Sequence, residues 1–151
     1  MMSYLTDYTS SVMALAVSND RQYCVSVAAD HQIVLYDIKE GAETKSVRSN
    51  SAGHASIAIR EDGQVIAVGG WDGCIRLYDS QLTQLGSLRY HKDTVQALSF
   101  VQTRHLKDLN RDNYDSDDAS DSDKSEDGES KKNENLLVSG GKEGRICLWK
   151  T

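Results

Sequence analysis

At 151 residues, 38% of them hydrophobic and 26% charged, the chain has the length of one ordinary domain and a soluble, globular balance. Its formal net charge of -6 is concentrated: residues 104–135 hold 11 acidic against 6 basic side chains, and the rest is nearly neutral. No basic face stands out that would displace counterions from phosphates, which argues against nucleic-acid binding, and no apolar run reaches the ~18 residues of a membrane span.

In chain order, the first ten residues lack the basic and apolar regions of a secretory signal. With an odd number of cysteines (Cys24, Cys74 and Cys147), this points to a reducing compartment. Each cysteine lies beside β-branched or aliphatic residues and away from basic clusters, so each reads as a small buried hydrophobe. An alternating strand is predicted over 12–17, a turn at Asn19-Asp20-Arg21, and an apolar strand over 23–27. A tight turn at Asp30-His31 then leads into the strand Ile33-Val34-Leu35-Tyr36, and a more polar strand follows over 44–49.

The same series then starts again. A first strand is predicted over 57–59, a turn at Glu61-Asp62-Gly63, a second strand over 65–69, and a hairpin tip at Asp72-Gly73. The strand Ile75-Arg76-Leu77-Tyr78 follows, then a polar strand over 83–90. Asp-Gly between two apolar runs is a strong hairpin signal, and a type I′ turn is expected there because both residues tolerate positive φ. A third copy has strands over 95–100 and 136–139, the tip Glu143-Gly144, and the strand Ile146-Cys147-Leu148-Trp149. Copies one and two are 42 residues apart, whereas two and three are 71 apart. The excess of 29 is close to the length of the acidic stretch. Four strands per period of about 42 is the signature of one propeller blade. The fold class read from this is all-β, with about three four-stranded antiparallel units over approximately 11–50, 51–90 and 91–151. Blades contact only their neighbours, so three of them form an incomplete propeller with two open faces.

Gly70-Trp71-Asp72-Gly73-Cys74-Ile75-Arg76-Leu77-Tyr78-Asp79 and the run from Ser139-Gly140-Gly141 to Leu148-Trp149 resemble WD40 repeat endings. The stretch from residue 50 to 100, including Leu88-Arg89-Tyr90-His91 and Val95-Gln96-Ala97-Leu98-Ser99-Phe100, is similar to the C-terminal repeats of the ASTRA-associated protein 1 family, the guanine-nucleotide-binding protein β-subunit-like proteins. That resemblance implies a non-catalytic scaffold within the ASTRA assembly. It implies work with the Tel2–Tti1–Tti2-type co-chaperone on large kinases, a link to chromatin, and a location in the nucleus, with the cytoplasm as a second place. Another WD40 scaffold, in ribosome assembly or histone binding, is the alternative. No cofactor and no metal are expected, since His31, His54, His91 and His105 lack ligand spacing.

The resemblance also implies a hydrogen-bonded brace in the third unit, formed by His91, Ser139, Glu143 and Trp149, with Glu143 in the place usually held by Asp. Only this unit approaches the full set: Val68 and Tyr78 stand where the second unit would need Ser and Trp. A catalytic pairing of Ser139 with His91 is set aside in favour of the brace, and His54 reads as a loop histidine. Trp71 is the foremost partner-binding candidate. The equivalent positions hold Ala29 and Lys142, so the fold itself does not ask for a large aromatic there, and Trp anchors many interfaces. Arg76, Tyr90 and Lys142 complete the partner-binding candidates, with Arg76 expected on a solvated strand face.

Residues 103–134 form an acidic insertion inside the third unit. Its acidic part, residues 112–129, has little apolar surface beyond Tyr114 and cannot offset the entropy of ordering, so disorder is expected. Ser120, Ser122 and Ser125 lie among acids, a pattern that acidophilic kinases favour. Limited proteolysis of the folded protein is expected to cut first between Leu106 and Lys132. Replacing residues 102–133 by a short Asn-Gly turn is expected to preserve the thermal midpoint or raise stability by about 1 kcal/mol or less. A lowered midpoint would show that the stretch takes part in the fold.

Overall fold

The computed structural model describes residues 8–102 and 135–151. The acidic insertion, with Ser120, Ser122 and Ser125, lies outside the described residues. Among the described residues eleven strands follow one another: β1 (Val12–Val17), β2 (Tyr23–Ala28), β3 (Gln32–Asp37), β4 (Ala42–Arg48), β5 (His54–Ile59), β6 (Ile66–Gly70), β7 (Cys74–Tyr78), β8 (Gln84–Arg89), β9 (Val95–Gln102), β10 (Asn135–Gly141) and β11 (Ile146–Lys150). They form three antiparallel sheets in sequence order, β1-β2-β3-β4, β5-β6-β7-β8 and β9-β10-β11. These are the blades of an unclosed propeller, and each blade meets the next through its first strand, with β5 packed against both β1 and β9.

The register follows the repeat. Val25 pairs with Leu35, Ala67 with Leu77 and Val138 with Leu148, so that residues at equivalent repeat positions face one another in all three sheets. β9 and β10 pair directly, Phe100 with Leu137 and Ser99 with Val138, although residues 103–134 separate them in sequence. Once that stretch is set aside, the strand pattern of units one and two admits no other partner for β9.

The hairpin tips depart from the expected type I′ geometry. Gly73 N–H donates to Gly70 O at 3.3 Å and Gly144 N–H to Gly141 O at 3.0 Å. Gly73 (φ 74) and Gly144 (φ 81) are left-handed, whereas Asp72 and Glu143 are not. The tip is therefore a three-residue loop closed by a left-handed glycine. One more residue is accommodated, Trp71 or Lys142, and Asp72 Oδ1 is free to accept the N–H of Cys74 at 3.1 Å.

Two cores lie between the blades. Val25, Val27, Ile33 and Leu35 of the first blade meet Ile57, Ile66, Val68, Tyr78 and Leu82 of the second. Ala67 and Ile75 of the second meet Val95 and Leu137 of the third, with Leu98, Phe100 and Trp149 alongside. The second blade is covered on both sides, which corrects the reading of two residues. Arg76 is 6% exposed and not on a solvated face, because β7 is buried on both its faces and the guanidinium turns to Asp72. His54 is not a loop residue but the first residue of β5, fully buried. It is the counterpart of Val12 and Val95, the first residues of β1 and β9, and each of the three strands has a register shift just after that position.

Ile75→Ala, at a fully buried position between two blades, is expected to cost about 2–5 kcal/mol in urea unfolding. Leu85→Ala, on the exposed side of β8, is expected to change stability by about 0.5 kcal/mol or less. Equal costs would contradict this placement of the core.

Candidate functional site

The chain's candidate functional surface is the rim made by the three hairpin tips and the loops that lead into β1, β5 and β9. One backbone hydrogen bond fixes each tip to its loop. Ala29 N–H donates to Ser11 O (2.9 Å), Trp71 N–H to Gly53 O (3.0 Å) and Lys142 N–H to Thr94 O (2.9 Å). Ala29, Trp71 and Lys142 thus hold the same structural position, as the repeat alignment implies.

Beneath the rim, each blade braces its loop in a different way. In the third blade, Trp149 Nε1–H donates to Ser139 Oγ at 2.9 Å, Ser139 Oγ lies 2.8 Å from His91 Nε2, and His91 Nδ1 lies 2.6 Å from Glu143 Oε1. Glu143 closes the network in spite of its extra methylene. Partial burial opposes its ionisation, but hydrogen bonds from its own backbone N–H and from His91 outweigh burial and hold the carboxyl below its usual range. A carboxylate only accepts, so Nδ1 carries a proton and donates to Glu143, while Nε2 pairs with the Ser139 hydroxyl. Ser139 is fully buried and its oxygen already accepts from Trp149, so a substrate has no approach to it.

The first blade carries a brace that residue matching to His and Trp overlooks. Tyr8 stands three residues before Ser11, as His91 stands three before Thr94. Its hydroxyl lies 2.8 Å from Ser26 O and 2.7 Å from Ser26 Oγ. Ser26 is the repeat counterpart of Ser139, and burial pushes the Tyr8 phenol above its ordinary value. The signal that the sequence offered for it is Ser26 at the serine position.

In the second blade, Arg76 reaches from β7 into the corresponding space. Its Nη1 and Nη2 donate to Asp72 Oδ1 (3.1 Å) and Oδ2 (2.6 Å) as a fork. Hydrogen bonding from Arg76 is the main reason the Asp72 carboxyl titrates below its usual range. Beside it, His54 Nε2 lies 2.7 Å from Ser49 Oγ. Burial, then the charge of Arg76, lowers the His54 pKa from 6.5 to about 4.

Trp71 lies over Gly53: a Cβ added to Gly53 would come within 2.7 Å of the indole ring. The ring still shows 41% of its surface to solvent. It lies against the loop that leads into β5 and remains partly exposed. Tyr90 is also exposed and stands edge-on to His91 and Trp149, with ring centroids 5.6 and 6.3 Å apart. Lys142 is exposed on the third tip, whereas Arg76 is committed to Asp72 and is not offered to a partner. Among the described residues no cluster of His, Cys, Asp and Glu is arranged to hold a metal ion.

Comparison with known proteins agrees with this architecture. The family described as WD domain, G-beta repeat matches residues 2–37 and 44–79. ASTRA-associated protein 1 of Penicillium rubens is 29% identical over 117 residues, which covers 68% of this chain and 27% of that protein. ASTRA-associated protein 1 of Schizosaccharomyces pombe is 39% identical over 54 residues, covering 35% of this chain and 15% of that one. This chain thus spans about a quarter or less of the relatives' length. Among solved structures, a chain of the mitotic checkpoint complex superposes with a TM-score of 0.68 at 17% identity, over 96% of this chain and 35% of that one.

His54 makes stability depend on pH. Its folded pKa is depressed to about 4 from 6.5, so the folded state prefers the neutral ring. The stability it contributes is complete above about pH 6.5 and is lost as pH falls towards 4. Urea unfolding over that window is expected to show a downward slope that flattens in His54→Asn. An unchanged slope in the variant would contradict the assignment. The fold is of the WD40 propeller type, and the chain is related to ASTRA-associated protein 1 at moderate identity over part of its length.

Proposed function

We propose that the chain is a non-catalytic scaffold that holds other proteins on the rim of its blades, in an assembly of the ASTRA kind. The observation that carries this reading is Trp71. Two of the three equivalent tips present Ala29 and Lys142 and make the same backbone hydrogen bond, while the third presents an indole that is seated on Gly53 and partly open to solvent. A side chain held in place before binding loses little entropy when a partner covers it, and Trp is a frequent anchor at the centre of interfaces. The similarity to ASTRA-associated protein 1 supports a finer reading. In it, the partner is a Tel2–Tti1–Tti2-type co-chaperone or another ASTRA component, the task is assembly of large kinases or chromatin-linked complexes, and the place is the nucleus.

Two variants test this together. Trp71→Ala removes the anchor, and Gly53→Ala displaces it, because the added methyl occupies the space of the ring. Both are expected to retain the strand signature in circular dichroism and to weaken capture by purified Tel2–Tti1–Tti2 at least tenfold, about 1.4 kcal/mol. Capture equal to that of the unaltered chain, by variants that fold, would overturn the role of the rim. No capture by the unaltered chain would overturn the finer partner assignment.

A further inference from the structure

Three departures from the repeat fall in the second blade and lie together. At the tip, Trp71 stands where the other blades hold Ala29 and Lys142. The loop residue that accepts its N–H is Gly53, whereas the counterparts Ser11 and Thr94 carry side chains. On the strand behind the tip, Arg76 stands where the other blades hold Val34 and Cys147. The first two departures explain each other: a Cβ on Gly53 would meet the indole at 2.7 Å, so the ring has its seat only because that residue is glycine. The arginine is the unexpected member. Burying a cation costs free energy unless it is paired. The hairpin itself does not ask for one, since Val34 and Cys147 take the same place in register opposite Ser26 and Ser139.

The contacts of Arg76 lead to Trp71 from both sides. Its guanidinium holds both carboxylate oxygens of Asp72, the residue after Trp71, at 3.1 and 2.6 Å, and Asp72 Oδ1 also accepts the Cys74 N–H at 3.1 Å. Gly70, the residue before Trp71, is enclosed by the same groups. A Cβ there would meet Asp72 Oδ1 at 2.5 Å, Ser51 Oγ at 2.8 Å and Arg76 Nη1 at 3.0 Å. Ser51, buried, donates its hydroxyl to Gly53 O at 2.7 Å, the same oxygen that accepts the Trp71 N–H at 3.0 Å. The residues flanking Trp71 and the glycine beneath its ring are thus tied into one network around the buried Arg76. In the first blade, Val34 has no group that could hold Asp30 in this way.

We infer that Arg76 is a positioning residue for Trp71: it fixes the backbone on which the indole stands, so that the ring keeps one orientation over Gly53 before a partner arrives. The inference rests on the reading of Trp71 as the anchor of the rim. Buried and bound to Asp72, Arg76 touches no partner, yet it sets how much ordering the anchor undergoes on binding.

Fluorine NMR of the chain labelled with 5-fluorotryptophan tests this without a partner. The chain has two tryptophans, so two resonances are expected, and Trp71→Phe identifies the one from Trp71. Arg76→Val gives the second blade the residue with which the first blade pairs at this position. It is expected to move the Trp71 resonance towards that of free 5-fluorotryptophan and to leave the Trp149 resonance in place. An unmoved Trp71 resonance would overturn the inference. Should Arg76→Val fail to fold and shift both resonances, Arg76→Lys keeps the charge but loses the fork, and the same two outcomes decide. Capture by purified Tel2–Tti1–Tti2 separates this inference from the reading it rests on. Where Trp71→Ala weakens capture, Arg76→Val is expected to weaken it about two- to tenfold, the cost of ordering one freed side chain. Capture by Arg76→Val as tight as by the unaltered chain would overturn the inference and leave Trp71 as the anchor. Capture unaffected by Trp71→Ala would overturn the anchor instead, and the fluorine resonances alone then decide the role of Arg76.

Discussion

A propeller blade has two apolar faces and cannot bury either by itself. Burial comes only from the next blade, and that requirement orders the whole molecule. In the second blade it is met twice: Ile66, Ala67, Val68 and Ile75 are all fully buried although they point alternately to opposite neighbours. A strand in that situation reads as a continuous apolar run, unlike the alternation of a strand with one wet face. β11 has the same Ile-x-Leu pattern as β3 and β7, and its side chains alternate between half-buried and exposed. The pattern is the same; the neighbour is what differs.

The polar braces under the rim show how loosely a packing constraint specifies residues. The space between a hairpin tip and the loop beside it must be filled by groups that satisfy one another, since unpaired polar atoms there would be costly. His91 with Ser139, Glu143 and Trp149 does this in the third blade, with Glu143 Oε2 left over, and Tyr8 with Ser26 does it in the first. Arg76 with Asp72 does it in the second by drawing a strand residue into the space instead of a loop residue. The three solutions differ in charge and in the element that supplies them. The backbone hydrogen bond from Ala29, Trp71 or Lys142 is the same in all.

That division between frame and filling gives the rim its capacity for recognition. The tip residue is anchored through its N–H and leaves its side chain unconstrained, so an indole can be placed there without cost to the blade. Gly53 then turns the exposed ring from a floppy projection into a seated one.

The sequence by itself determined the strands, their order and their pairing. The 42-residue period, with an Asp-Gly or Glu-Gly tip before an Ile-x-Leu strand, made the pairing of β9 with β10 legible across the acidic insertion. It also made Trp71 legible as an outlier at its position, and it supplied His91, Ser139, Glu143 and Trp149 by likeness to WD40 repeats. It did not reveal Tyr8, because a tyrosine in place of histidine becomes visible only when its hydroxyl is seen on Ser26. Nor did it place His54 or Arg76. Strand alternation tells which side chains share a face, but whether that face meets water or another blade is decided by neighbours in space. Burial on both sides of the second blade exists only once all three blades are stacked. That is why the reading of burial erred where two blades meet, while the pairing of adjacent strands, which local sequence dictates, held within each sheet.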